Sequence, residues 1–233
     1  MKTPETYFIE DVQLPGEERG GTLSQAEQAF LDKYVGLEQD RLLSTTPRVD
    51  PRGDAVLPGF AAKAAAGAED EGTDAGFEAR VREMSEVQLV SFAVDGREFA
   101  LPIMVIQEVI KFVPPTKLPT APSFIAGIIN LRGKVTPLLR LRNLMGLPSK
   151  SGENDRFIVV CRHRGLQVGL MIQSVATMYR ARHEDVDWGV AAHFGDSAEF
   201  LMGLLKNGDK LVSILSIDRL VEGVLKREGG PDA

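Results

Sequence analysis

Short stretches of alternating apolar and polar residues begin at Val87 and continue almost to the end of the chain. Residues 88–94 and 97–101 flank Asp95-Gly96, a pair that tolerates the positive φ angles of a type I′ hairpin turn. The same reasoning predicts further strands, at 124–130 with 134–139, 157–162 with 166–172, 200–205 with 211–215, and at 175–180. Eight or nine short strands at regular spacing favour barrels or a sandwich over a parallel α/β sheet.

Few helices are predicted among these strands. Residues 104–110 read as a short helix, because Pro102 lies near its start and Pro114-Pro115 lies beyond its end. Residues 217–226 carry Leu220, Val221 and Val224 at helical spacing, and this segment is expected to close the domain as a C-terminal helix.

The chain ahead of the strands has a different character. An amphipathic helix is predicted at about residues 24–43, where Ser24 and Glu27 form a capping-box pair and Phe30, Tyr34 and Leu37 follow at helical spacing. A short isolated helix is marginal in water, so this apolar stripe must dock either on the main domain or on a partner. Both alternatives remain open from the sequence.

Negative charge is concentrated in the same region. Residues 1–85 contain 9 Lys and Arg against 17 Asp and Glu, whereas residues 86–233 contain 18 against 16. Residues 44–79 are rich in Pro, Gly, Ala and acidic side chains, and they can bury too little apolar surface to offset chain entropy. We therefore predict an acidic N-terminal extension over 1–85, with a disordered linker at about 44–79, and a folded domain over 86–228.

The residues that catalysis or metal binding would need are scarce. Cys161 is the single cysteine, and three histidines with one cysteine are too few ligands for a typical zinc site. The chain has no G-x-S-x-G nucleophile elbow and no phosphate-binding loop. We interpret Cys161 as a structural cysteine rather than a thiol nucleophile paired with His163, and His183 to Asp187 as a solvated turn. We expect no enzyme, no cofactor and no metal.

Composition also limits the location and the partners. No stretch approaches 18 uncharged apolar residues and the N-terminus lacks the apolar run of a secretory signal, so we expect a cytoplasmic protein without direct membrane insertion. A net charge of −6 argues against nucleic-acid binding, because phosphate neutralisation requires excess Lys and Arg. With 6% aromatic residues, the chain also offers few rings on which bases could stack.

One run of residues is similar to a family signature. Residues 122–137, PSFIAGIINLRGKVTP, resemble the P-x-F-I-x-G-V-x-N-L-R-G-x-I-x-P motif of CheW-type chemotaxis coupling proteins. Further similar segments follow the family's order along residues 86–227, namely FAVDGREFALP, IQEVI, GLMIQSV and EFLMGLLKNGDKLVSILSIDRLV. Arg140, where the family commonly has an acidic residue, and Gln173, where it has Asp, depart from the pattern.

The resemblance implies a mainly β fold of two small SH3-like five-stranded β-barrels that share an apolar seam, with short helices. It implies a non-enzymatic adaptor that joins a CheA-type histidine kinase to the cytoplasmic tips of methyl-accepting chemotaxis receptors. Membrane-bound receptor arrays containing other CheW-like domains would be its location. Two alternatives stay open from the sequence: an adaptor of a non-chemotactic kinase pathway for surface motility or development, and a nucleic-acid-binding barrel.

Candidate binding residues follow from the same resemblance. Arg132 lies at a tight turn, where its guanidinium could contact a partner carboxylate or be satisfied by its own neighbours. The family motif favours receptor binding at Arg132, and kinase or receptor binding at Glu108 with its apolar neighbour Ile106. The positions at which the family lines a receptor groove between the barrels are Phe157, Val168 and Val175. A role in ordinary core packing is the alternative for these three side chains.

Overall fold

The computed structural model describes residues 29–30, 33, 48–49, 76–119, 121–147, 155–163, 165–189 and 195–227. Twelve strands lie within these ranges: β1 (Arg48–Val49), β2 (Glu86–Val94), β3 (Arg97–Pro102), β4 (Ile106–Lys111), β5 (Ile125–Leu131), β6 (Lys134–Arg140), β7 (Phe157–His163), β8 (Leu166–Ile172), β9 (Ser174–Arg182), β10 (Val186–Asp187), β11 (Leu201–Asn207) and β12 (Lys210–Leu215). Residues 29–30 and 33 are helical, and three further helices accompany the strands, α1 (Gly76–Glu83), α2 (Leu141–Leu144) and α3 (Ile217–Lys226).

The strands form two sheets that correspond to the two expected SH3-like barrels. One has the order β1-β5-β6-β8-β7-β4, and the other has the order β10-β11-β12-β3-β2-β9. Each contains five longer strands of the predicted domain and one additional strand of two residues at its edge. The mainly β fold with few, short helices is therefore confirmed.

Positive φ angles lie where the sequence predicted tight turns. Asp95 and Gly96 have φ angles of 49° and 71°, and they join β2 to β3 as expected for a type I′ turn. Arg132 and Gly133 have φ angles of 54° and 79° between β5 and β6. Both hairpins are thereby confirmed, as is the C-terminal helix at Ile217–Lys226.

The edges of each sheet return toward one another. In the first sheet, the chain that leaves β4 makes an isolated antiparallel bridge between Thr116 and Ile128 of β5. In the second sheet, the two edge strands β9 and β10 are consecutive along the chain, joined by a 3-10 turn at His183–Asp185. Both sheets are therefore curled, because the chain segment that follows one edge strand pairs at or next to the opposite edge of the same sheet.

The predicted helix at residues 104–110 is wrong. Ile103–Val105 form a single 3-10 turn, and Ile106–Lys111 form the edge strand β4, which pairs antiparallel with β7. Val109 and Ile110 are β-branched, and this residue class packs better on a pleated surface than on a helix. Pairing with a strand about 50 residues later in the chain overrides the proline signals at both ends.

Buried apolar side chains form three clusters. One cluster lies on one face of the first sheet and includes Ile129, Leu138 and Val160, and another lies on one face of the second sheet and includes Leu89 and Val212. The largest cluster receives side chains from both sheets and from α2 and α3, such as Phe92, Phe99, Ile128, Leu139, Val159, Leu170, Leu144 and Leu220. We call this third cluster the seam, and it confirms the apolar layer expected between the barrels.

Parts of the N-terminal extension pack on this domain. Ala29, Phe30 and Lys33 are helical, Phe30 belongs to the seam with 1% of its surface exposed, and Lys33 Nζ donates to the carbonyl of Leu225. For the described part of this helix, the structure therefore favours docking on the chain's own domain. Tyr34 and Leu37 lie outside the described residues.

Helix α1 lies across the predicted end of the linker at residue 79 and packs on the second barrel. Val81 is fully buried in the cluster around Leu89. Both carboxylate oxygens of Glu78 accept hydrogen bonds from Arg219, at 3.1 Å from Nε and 3.0 Å from Nη2, and Glu78 also accepts from Ser216 Oγ, whose side chain caps α3. Bidentate pairing of this kind fixes both position and angle.

The barrel closure at Thr116 depends on a glycine, and this predicts a sharp difference between two substitutions. Gly127 has a φ of 141°, and a Cβ at this position would meet the Thr116 carbonyl oxygen at 2.2 Å. Gly127→Ala should therefore lower the free energy of unfolding by at least about 3 kcal/mol. Gly133→Ala is the matched control, since its Cβ meets nothing within 4 Å, and it should cost only about 1–2 kcal/mol for its positive φ. Urea denaturation measures both, and equal losses would contradict the closure argument.

Truncation of the extension tests the role of α1. The strand pattern is complete from Val87 onward, so the sequence alone predicts that residues 1–80 are dispensable for folding. The buried Val81 and the Glu78–Arg219 pair now predict that a chain starting at residue 85 is less stable than one starting at residue 75, by about 2–4 kcal/mol. Thermal and urea unfolding of the two truncated chains give the comparison. Identical transitions would show that α1 contributes nothing to the barrel.

Candidate functional site

Two of the residues predicted from the sequence meet in the structure. Arg132, at the β5–β6 turn, donates from Nη2 to Oε2 of Glu108 in β4 over 3.0 Å. The Arg132 side chain is 61% exposed, whereas the Glu108 side chain is 9% exposed. The buried carboxylate of Glu108 therefore orients the solvent-exposed guanidinium of Arg132.

Local backbone features place both members of this pair. The φ of 54° at Arg132 makes it one of two non-glycine residues with positive φ in the described chain, and it lies in the turn between β5 and β6. In β4, the pairing with β7 shifts between Ile106 and Glu108, which is a β-bulge at Gln107. In a regular strand Ile106 and Glu108 would share a face, but the bulge places Ile106 with Val109 in the seam and Glu108 on the opposite face with Ile110.

The other predicted site residues divide into two groups. Ile106 and Val168 are each 1% exposed and belong to the seam, so these two side chains are core residues, and we remove them from the candidate contact surface. Phe157 and Val175 are half-buried and pack against the seam from outside. Phe157 and Val175 therefore remain candidate contact residues, because part of each side chain is accessible to solvent.

Sequence reasoning missed several exposed apolar side chains near these positions. Met178 of β9 is 49% exposed, three residues beyond Val175. Met104, two residues before β4, and Phe112, the residue after it, are also exposed, and β4 is the strand that carries Glu108. Met178 lies on the face of β9 that also carries the exposed residues Ser174, Ala176, Arg180 and Arg182. A large apolar side chain among these small and charged residues was the available sequence signal.

The two departures from the family motif have identifiable contacts. Arg140 Nη1 donates to the carbonyl of Ser123 at 2.9 Å. Gln173, between β8 and β9, lies 3.5 Å from both Asp95 Oδ1 and the amide of Gly96. Each departure therefore makes contacts within the chain.

Gln173 belongs to a polar junction between the barrels. Arg142 of α2 donates to Asp155 at 2.8 Å and lies 3.7 Å from Asp95, the turn residue of the other barrel. Asp95 is buried, and its Oδ2 has no hydrogen-bond partner among the described residues. One arginine therefore bridges two carboxylates from different parts of the fold.

Cys161 lies in β7 and its thiol is fully buried in the seam. Burial strongly raises the pKa of this thiol, because a thiolate would have no solvation there. The reactive thiolate form is thus suppressed, in agreement with a structural role. Within the described residues no group of His, Cys, Asp and Glu could hold a metal ion, and no helix is long and apolar enough to cross a membrane.

This burial predicts the reactivity of the cysteine. In the folded protein, Cys161 should react with a thiol reagent such as dithionitrobenzoate at least about a hundredfold more slowly than in urea, because labelling requires opening of the seam. One equivalent should react after unfolding, since the chain has one cysteine. Rapid native labelling would contradict the buried position and return Cys161 to the list of candidate nucleophiles.

Comparisons with known proteins agree with this geometry. The family model described as CheW-like domain matches residues 88–224. A chemotaxis protein CheW from Helicobacter pylori is 31% identical over 58% of this chain and 82% of its own length. A chemotaxis protein CheW from Thermotoga maritima is 29% identical over 63% of this chain and 95% of its own length.

A solved structure supports the same relationship. The crystal structure of the scaffolding protein TtCheW from Thermoanaerobacter tengcongensis superposes with a TM-score of 0.52 at 28% identity, over 56% of this chain and 89% of that protein. The match to the family model begins at residue 88, after the predicted N-terminal extension. The barrels, the motif and these matches together show that the chain belongs to the CheW-like family of non-enzymatic chemotaxis adaptors.

Proposed function

We propose that this chain couples a CheA-type histidine kinase to the cytoplasmic tips of methyl-accepting chemotaxis receptors in membrane-associated arrays. The observation that carries the proposal is the Arg132–Glu108 pair, which holds a solvent-exposed guanidinium in one orientation on the barrel surface. The kinase regulatory domain, the receptor tip and other CheW-like domains of the array are its partners.

Arg132 retains unused binding capacity. A guanidinium has five N–H donors, and Glu108 receives one of them at 3.0 Å. The remaining donors can meet a partner carboxylate in a bidentate arrangement. Because Glu108 already orients the side chain, less rotamer entropy is lost when the partner binds. Glu108 therefore acts as a positioning residue for Arg132.

The apolar part of the receptor contact lies on the border of the seam. Phe157 and Val175 are half-buried there, and the exposed Met178 extends the apolar surface along β9. Helical partners commonly bind by laying an apolar stripe into such a groove. We therefore assign Phe157 and Val175 to receptor contact and add Met178 as a rim residue.

Coupling in this proposal involves no bond-making step. The adaptor holds the kinase on one surface and the receptor on another, and a change in receptor state alters kinase activity through differential binding free energy. Signalling contacts of this kind often bury about 800 Å² per partner or less. Many weak contacts in an array then raise the effective concentration of each partner.

Two variants separate the binding role of Arg132 from its structural role. Arg132→Ala should weaken receptor binding, and it should also lower stability, because Glu108 is left buried without its partner. The double variant Arg132→Ala/Glu108→Gln removes that buried charge and should recover most of the stability. Receptor binding should stay weaker than wild type by about 1.5–3 kcal/mol, the scale of a hydrogen bond to a charged group.

Calorimetric titration with a purified receptor hairpin fragment, alongside thermal melting, measures both quantities. Lys206→Glu is the control for a general change of charge, because Lys206 is exposed at the distal end of β11. It should leave receptor affinity within about twofold of wild type. If the double variant binds the receptor as tightly as wild type, Arg132 is a structural turn residue and the proposed contact is wrong.

A further inference from the structure

The polar junction between the barrels consists of four side chains, Arg142, Asp95, Asp155 and Gln173. It lies directly beside the two side chains assigned to receptor contact. Asp155 precedes Phe157 by two positions, and Gln173 precedes Val175 by two positions. Phe157 also pairs with Ile172, the residue before Gln173, so these two chain segments are held side by side. The polar junction and the border of the groove are therefore formed by the same two segments.

The two groove residues belong to different barrels. Phe157 is the first residue of β7 in the first sheet, and Val175 is the second residue of β9 in the second sheet. Gln173 is the single residue between β8 and β9, so the chain passes from one barrel to the other at the polar junction. The spacing between Phe157 and Val175 therefore depends on how the barrels are held together at this point.

Arg142 holds the barrels together by charge. Its Nη2 donates at 2.8 Å to Asp155, which lies two residues ahead of β7, and its Nη1 lies 3.7 Å from Asp95 in the β2–β3 turn of the second barrel. The side chains of Arg142, Asp155 and Asp95 are 15%, 10% and 3% exposed, so salt and water screen little of this attraction. Within the part of the chain that the structure describes, both carboxylates form their salt bridges with the same guanidinium.

The seam and the polar junction constrain the barrels in different ways. Burial of apolar surface in the seam is favourable in proportion to its area, but it has no direction. A charge-assisted hydrogen bond of 2.8 Å restricts both a distance and an angle. Gln173 adds contacts of its own, because its backbone N–H donates to the carbonyl of Ala93 at 3.0 Å and its side chain lies 3.5 Å from Asp95 Oδ1. Directional contacts thus connect the β2–β3 turn of the second barrel to the first barrel.

From this arrangement we propose that Arg142 is a positioning residue for the receptor groove, which fixes the spacing between Phe157 and Val175 by attracting one carboxylate from each barrel. Its side chain is 15% exposed, so it acts through the groove residues rather than as a receptor contact. The proposal rests on the proposed function, since it takes Phe157 and Val175 as receptor contacts. It also requires a neutral side chain at position 173, because one guanidinium already serves two carboxylates.

Removal of the guanidinium is the first test. Arg142→Gln in the full-length chain should lower affinity for a purified receptor hairpin fragment about fivefold or more, because apparent affinity falls with the fraction of molecules that hold the correct spacing. Arg140→Gln is the matched control, since Arg140 donates to the carbonyl of Ser123 in the first barrel, and its affinity should stay within about twofold of wild type. Calorimetric titration measures both variants. Equal affinities of Arg142→Gln and wild type would overturn the proposal.

An added charge tests the polar junction without removing Arg142. Gln173→Glu is nearly isosteric and brings a third carboxylate beside Asp95, so it should weaken receptor binding about threefold or more. Adding Asp95→Asn restores the number of charges, and asparagine tolerates the φ of 49° at this turn. The double variant should regain most of the lost affinity. If the loss persists in the double variant, the added charge acts on the receptor directly and the positioning role is wrong.

The spacing of the barrels is measured without receptor. Lys134→Cys in β6 and Lys210→Cys in β12 place spin labels on exposed positions of the two barrels, while the buried Cys161 stays unlabelled. Pulsed electron resonance should give a narrow distribution of distances between the labels, and Arg142→Gln should shift or broaden it. An unchanged distribution would overturn the positioning role, because a residue that only supports folding leaves the spacing of the folded chain as it was.

Truncation of the groove residues distinguishes failure of this proposal from failure of the proposed function. Val175→Ala should weaken receptor binding by itself, and adding Arg142→Gln should then cost less affinity than it does in wild type, because the effects of coupled residues are not additive. If Val175→Ala and Phe157→Ala both bind the fragment as wild type does, the groove of the proposed function fails. If both weaken binding and the Arg142→Gln loss is fully additive, the groove stands and the positioning role fails.

Discussion

The apolar seam imposes the constraint on which the other features of the molecule depend. Each sheet places apolar side chains of one face in its own cluster and apolar side chains of the opposite face in the seam, so each sheet contributes to the core from both of its faces. A barrel separated from its neighbour would expose the seam face to water, which is costly in proportion to the apolar area. The relative orientation of the barrels is therefore part of the fold, and so is any groove along their border. Phe30 of the extension joins this same layer.

Charge at the barrel junction explains the substitution at position 173. Arg142 is the cation that contacts both Asp95 and Asp155, and Asp95 already has one oxygen buried without a partner. An aspartate in place of Gln173 would bring a third carboxylate beside a single guanidinium. Glutamine is neutral, and its amide can donate toward Asp95 while its oxygen accepts from the backbone. The departure from the family motif is therefore compatible with the charges that surround it.

The proposed binding surface combines rigidity with exposure. Arg132 lies in a turn with positive φ and is oriented by the buried carboxylate of Glu108, which a β-bulge places on the face opposite the seam. Such a surface can recognise a partner without local rearrangement, which lowers the entropic cost of weak signalling contacts.

The sequence by itself determined the features that depend on neighbouring residues. Asp95-Gly96 and Arg132-Gly133 specify their hairpin turns locally, and α3 follows from its own apolar spacing and its Ser216 cap. The family motif also singled out Arg132 and Glu108, but it could not pair them. Only the tertiary structure decided that β4 is a strand, because its partner β7 lies about 50 residues later and outweighs local helix signals. The same pairing, through its bulge, sets the face on which Glu108 meets Arg132 at a turn 24 residues away, and a contact of that range has no local signal in the sequence.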